Sequence, residues 1–179
     1  KKCFHICSIM HLEGDHCLGG TWYMVHVLFV CLGNICRSPM AEAVFRHKVK
    51  EQGLDKSISA DSAGTGEWHI GESPHQGTRE LLAAKEIDFT GIVARKVQRE
   101  DFQAFDYIIA MDSDNVLALK RIATNGAAGK VYKLLDFVPE SEVTDVPDPY
   151  YTGNFDAVYR LIEAGCERLL AHIREQASL

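Results

Sequence analysis

Val27-Leu28-Phe29-Val30-Cys31-Leu32-Gly33-Asn34-Ile35-Cys36-Arg37-Ser38-Pro39-Met40 is the stretch whose reading decides the fold. Its first four residues are apolar and β-prone; a Gly-Asn pair breaks the run, and helical spacing takes over at Met40, Ala43, Val44 and His47. Pro39 suits the first helical position and Ser38 the cap before it. A tight loop between strand and helix turns its backbone N–H groups inward and makes an anion cradle at a helix N-terminus. Cys31 and Arg37 give that cradle a nucleophile and a planar fork that holds two oxygens of one phosphoryl group, as a lysine point charge cannot. The positive surroundings favour the thiolate of Cys31, the form that attacks phosphorus, and the Ser38 hydroxyl can donate to that sulfur. Gly33 contributes backbone freedom and the Asn34 amide a brace inside the loop. The expected phosphate-binding residues are therefore Leu32, Gly33, Asn34, Ile35, Cys36, Arg37 and Ser38. A buried strand-end cysteine beside a surface arginine would not require strand, loop and helix to be in register.

Further along, short apolar runs alternate with helical patterns, which predicts an α/β fold: one doubly wound, four-stranded parallel sheet flanked by helices, with the phosphate-binding loop after the first strand. The expected strands are His26 to Cys31, Ser57 to Ser62, Tyr107 to Met111 and Lys130 to Leu134. The expected helices are Pro39 to Gln52, His75 to Lys85, Asp114 to Ala123 and Asn154 to Glu175. The last carries an apolar stripe of Phe155, Val158, Tyr159, Ile162, Cys166, Leu169, Leu170 and Ile173 behind an Asn154 cap, so Cys166 reads as a core residue. A chain of 179 residues with 46% hydrophobic content can bury one good core, and no repeat or linker marks a second.

A net charge of -6 argues against nucleic acid or an anionic membrane surface as partner, and confines positive potential to a local pocket. No apolar run is long enough to span a bilayer. Six cysteines in so apolar a chain do not form a disulfide framework, which points to a reducing, cytoplasmic compartment, with release lacking a signal left open. Residues 1–23 form an N-terminal extension that reads as loose or non-native, and the functional domain spans 24–179. Polar residues interrupt any signal-like core there, and Cys3, His5, Cys7, His11, His16 and Cys17 lack the paired spacing of a zinc site.

Ligands of an open parallel sheet bind beyond the carboxyl ends of its strands, so the loops there supply the remaining chemistry. One is acidic, with Glu140, Glu142, Asp145 and Asp148 between Pro139 and Pro149. The prolines around Asp148 hold it in extended backbone, and stiffness suits a general acid. Composition alone does not choose between Asp145 and Asp148.

The segment Val30 to Ala43 resembles the active-site signature of the low-molecular-weight protein tyrosine phosphatases, particularly bacterial members. Asp61-Ser62-Ala63-Gly64-Thr65, Val93-Ala94-Arg95, Asp101-Phe102, Phe105 to Asp112 and Asp148-Pro149-Tyr150-Tyr151 resemble family segments in family order, so the similarity covers Met24 to the C-terminus. The resemblance implies a phosphotyrosine phosphatase with Cys31 as nucleophile, Arg37 as phosphate clamp and Asp148 as general acid. Cradle and guanidinium offset the charge that a metal would otherwise take, so no metal or cofactor is expected. It also implies Asn34, Ser38 and Ser62 as loop supports, Trp68 and Tyr150 as walls of the substrate cleft, and Cys36 as a thiol that protects Cys31 through a reversible disulfide. Trp68 could equally be a packed residue. Ile92 stands where some eukaryotic members carry a loop-bracing histidine. The implied partners are phosphotyrosine proteins and inorganic phosphate, with a monomer or weak self-association. Thioredoxin-coupled arsenate reductases share the loop but need a cysteine relay, and no cysteine lies between Cys36 and Cys166. Phosphoarginine phosphatases of this fold carry threonine where Ile35 stands, and a phosphotyrosine-binding module would not need Cys31, Arg37 and Asp148 together.

Overall fold

Val25–Cys31 (β1) runs between Ile58–Gly64 (β2) and Tyr107–Ala110 (β3), with Val131–Lys133 (β4) beyond β3, in a sheet whose strands are all parallel and ordered β2-β1-β3-β4. This computed structural model describes residues 24–123 and 127–179, so the reading of residues 1–23 as an extension with scattered metal-ligand types lies outside the described residues. The helices are Arg37–Glu51 (α1), Gln76–Ala84 (α2), Asp101–Ala104 (α3), Ser113–Ile122 (α4), Pro149–Thr152 (α5) and Phe155–Ala177 (α6).

Alternation along β1 sorts the helices into two layers. Val25, Val27, Phe29 and Cys31 point into a cluster with Met40, Val44 and Phe45 of α1, Leu82 of α2 and the Val158-to-Ile173 stripe of α6. Leu28 and Val30 point the other way, against Ile108 and Ala110 of β3, Phe102 of α3 and Leu119 of α4. Cys166 lies fully buried in the first cluster, as its place on the stripe predicts. All four strands and the four long helices fall within two residues of the expected bounds at either end. The two helices the sequence did not announce, α3 and α5, are single turns too short to carry a period. β2 continues to Gly64 because Gly64 pairs with Cys31 on one side and Lys96 on the other.

Gly165 interrupts the apolar face of α6 at a cost in helix propensity of about 1 kcal/mol. The reason is contact: a Cβ there would lie 2.4 Å from Cγ of Leu134, at the 3-10 turn Leu134–Phe137 that α6 covers. Among the described residues no helix is long and apolar enough to cross a membrane. Gly165→Val is expected to destabilise the fold by about 1–3 kcal/mol through overpacking against Leu134, read as a lower urea midpoint with an unchanged m-value.

Candidate active site

The chain leaves β1 to one side for β2 and returns on the other for β3, which makes the carboxyl end of β1 the point where strand order reverses, and the loop Leu32 to Cys36 opens there. Within it Asn34 adopts φ 55°, and its N–H approaches Cys31 Sγ at 3.3 Å. The Ser38 hydroxyl donates to the same sulfur at 3.1 Å, with Ala63 O a second acceptor at 3.3 Å. Two expectations are corrected here. The helix begins at Arg37 with Cys36 as its cap, so Ser38 and Pro39 sit inside the first turn and the Ser38 side chain is free to turn to the sulfur. Backbone freedom is required at Asn34, not at Gly33, where a Cβ would lie 3.2 Å from the His69 ring.

The N–H groups of Leu32, Gly33, Ile35, Cys36 and Arg37 reach no backbone acceptor among the described residues. The first turn of α1 also carries no acidic residue, so its dipole is uncompensated by the protein. An anion is the natural partner for such an arrangement.

Asn34 is tied to three other segments. Its Nδ2 donates to Ser38 Oγ and to Ser62 Oγ of β2, each at 2.9 Å, and its Oδ1 accepts the backbone N–H of Arg95 at 2.9 Å. Ser62 in turn donates to Oε2 of Glu42 at 2.7 Å. Arg95 is itself pinned, with its guanidinium shared between Asp61 and Asp101. Ile92, at the position of the histidine the resemblance led one to look for, is buried in the main cluster, and the Arg95 amide braces Asn34.

The Arg37 guanidinium is 3% exposed and donates through Nη1 to Asp112 Oδ2 at 2.6 Å and Val146 O at 3.1 Å, and through Nη2 to Asp148 Oδ2 at 2.6 Å. Burial works against its charge, but Cys31, Asp148 and Asp112 outweigh burial and hold it protonated beyond the usual arginine range. Its Nε is buried and finds no hydrogen-bond partner among the described residues. Asp112 also caps α4 by accepting the N–H of Asn115 at 2.6 Å. The acidic loop divides cleanly: Asp145 accepts from Lys133 and Ser113, whereas Asp148 faces Arg37 and caps α5 through the N–H of Tyr150.

Cys31, Ile35, Arg37 and Asp148 line a cavity of roughly 270 Å³ whose rim is formed by Leu32, Trp68, His69, Tyr150 and Tyr151. Trp68 is 70% exposed and Tyr150 56%, so neither is a packed core residue. The Trp68 ring lies across Gly66, where a Cβ would come within 2.0 Å of it. Tyr150 meets His75 edge-on, and His75 stacks on Phe155, which anchors that wall to α2 and α6. Cys36 is a free thiol, pushed up to about 12 by burial and by the neighbouring Cys31 and Asp148.

Sequence reasoning gave no role to Asp112, Glu42, Arg95, His69 and Tyr151, although all but His69 fall within the segments quoted above. A carboxylate two residues past β3 at a helix start was a signal for Asp112, and an acid inside the buried run Met40 to Phe45 was one for Glu42.

Comparison with known proteins agrees with this geometry. Residues 26–179 match the family model described as low molecular weight phosphotyrosine protein phosphatase. The low molecular weight protein-tyrosine-phosphatase YfkJ of Bacillus subtilis is 54% identical over 156 residues, covering 87% of this chain and 100% of that protein, and its crystal structure superposes with a TM-score of 0.85 over 88% of this chain and 99% of YfkJ. PtpA of Staphylococcus epidermidis, described in the same terms, is 47% identical over 87% of this chain and 98% of its own. A Drosophila arginine phosphatase shares the fold at a TM-score of 0.77 and 38% identity, over 83% of this chain and 97% of that one. The chain thus belongs to the low molecular weight phosphotyrosine protein phosphatase family.

Proposed function

We propose that this chain hydrolyses phosphotyrosine in proteins through a cysteinyl-phosphate intermediate, with Cys31, Arg37 and Asp148 as the reacting groups. The observation that carries the reading is a sulfur receiving two hydrogen bonds at the floor of a cavity that also holds a buried guanidinium and a carboxylate. Substrate phosphate takes the loop N–H groups and the Arg37 fork, and in doing so displaces Asp148 from the guanidinium. The Cys31 thiolate attacks phosphorus while Asp148, which takes up a proton from solvent on leaving the guanidinium, passes it to the departing phenol. Asp148, now ionised, takes a proton from water as that water attacks the cysteinyl-phosphate, and sulfur leaves as thiolate toward the Ser38 hydroxyl. The fixed donors meet charge as it develops on the phosphoryl oxygens.

Trp68 and Tyr150 serve as walls for the phenyl ring. Ile35 adds an apolar contact inside the cavity, which suits an aromatic ester better than a charged phosphoarginine. Cys36 acts as resolving thiol: peroxide oxidises Cys31 to sulfenic acid, and condensation with Cys36 expels water and forms a disulfide. The three cysteines among the described residues are free thiols, which fits a reducing, cytoplasmic compartment.

Cys31→Ser is expected to lower hydrolysis of phosphotyrosine peptides on the order of 10⁴-fold or more. In the same assay, phosphoarginine and phosphoserine peptides turn over far more slowly in the wild type; preference for phosphoarginine would replace the tyrosine reading. Asp148→Asn should slow esters with poor leaving groups by about 10²–10⁴-fold and activated aryl esters much less, because only the former need a proton; equal losses would remove Asp148 from the acid role. Trp68→Ala should leave stability within about 0.5 kcal/mol and raise KM for phosphotyrosine about threefold to tenfold, the value of one aromatic contact. A loss of thermal stability without a KM change would make Trp68 a packing residue.

A further inference from the structure

Glu42 lies on α1 one turn past the loop, 5% exposed among apolar neighbours, and the mechanism above gives it no part. A buried carboxylate is unfavourable unless it is hydrogen-bonded or paired. Here Oε2 accepts from Ser62 at 2.7 Å and Oε1 meets Arg46 Nη1, on the exposed side, at 3.1 Å, while Asp61 on β2 adds like charge. Burial, reinforced by Asp61 and opposed by Ser62 and Arg46, pushes the Glu42 carboxyl above its usual range. An acid raised in the folded state binds its proton more tightly there than in the unfolded chain, so its ionised form weakens folding as pH rises through that interval. The ionised carboxylate is thus held against stability.

Counting donors shows what it does. The Asn34 amide could sit either way round. As found, both Nδ2 hydrogens face the two serines, and each serine must place its own proton elsewhere. Turned over, Oδ1 would accept from both serines and the Ser38 proton would be drawn from sulfur. Two anchors hold the observed orientation. One is the Arg95 N–H, which needs Oδ1 as acceptor; the other is Glu42, whose carboxylate when ionised only accepts and so claims the Ser62 proton.

We infer that Glu42 is a positioning residue for Cys31: by taking the Ser62 proton it sets, together with the Arg95 N–H, the direction of hydrogen bonding through Asn34 to Ser38, whose proton is then left for Sγ. The inference rests on the reading of Cys31 as nucleophile.

The test replaces Glu42 by Met in the full chain and measures the pH profile of Cys31 alkylation by iodoacetate, kcat and KM on an aryl phosphate, and thermal stability. The alkylation midpoint should move up by about one pH unit and kcat fall about tenfold, the worth of one redirected hydrogen bond, with KM little changed and the melting temperature equal or higher. A folded Glu42→Met with an unshifted alkylation profile overturns the inference, whatever its stability. Should that variant not fold, Ser62→Ala cuts the same link: an upward shift supports the inference and an unshifted profile overturns it. Wild-type protein that neither hydrolyses the aryl phosphate nor shows phosphate protection of Cys31 would instead overturn the nucleophile reading.

Discussion

Asn34 uses both amide hydrogens and its carbonyl inside the protein, on Ser38, Ser62 and Arg95 respectively, and this set of contacts is the constraint on which the loop's shape depends. A left-handed backbone at φ 55° is unfavourable for most side chains but tolerable for asparagine. That conformation brings the Asn34 N–H against Cys31 Sγ, so the residue that bends the loop also donates to its sulfur. Because its partners come from α1, β2 and the 91–96 segment, the loop is braced from three sides before any anion arrives. The donors are thus oriented in advance, and little reorganisation remains for the reaction itself.

Charge is balanced by the same economy of groups. Arg37 is almost wholly buried, a position tolerated only with partners, and Asp112 and Asp148 supply them. The two carboxylates differ in freedom. Each accepts twice, from Arg37 and from a helix start, but the α4 that Asp112 caps has ten residues and the α5 that Asp148 caps only four. In the proposed reaction a phosphate dianion competes for the guanidinium with Asp148, the acid on the shorter helix.

The sheet explains why these pieces meet. Cys31 ends the central strand, Ser62 lies two residues before the end of β2 and Asp112 two residues past β3, so three parallel strands deliver a nucleophile, a brace and a counter-charge to one edge. Close packing beneath them, such as Gly165 against Leu134, keeps α6 on the sheet and with it Phe155, which supports His75 and the Tyr150 wall.

Much of this was legible in the amino-acid order alone. Local chemistry determined the strand-loop-helix unit, the α/β layering and the α6 stripe, because apolar periodicity and turn residues act over a few neighbours. It also marked Cys31, Arg37 and Ser38, which lie within eight residues of one another. Tertiary structure alone decided that Asp148 and not Asp145 meets Arg37, that Asp112 and Glu42 belong to the site, and that Asn34 rather than Gly33 carries the strained backbone. Those facts depend on side chains 20 to 111 positions apart coming within 3 Å, and on a helix that starts two residues earlier than its proline suggests. Such distances are set by how strands and helices pack, and no pattern confined to neighbouring residues encodes them.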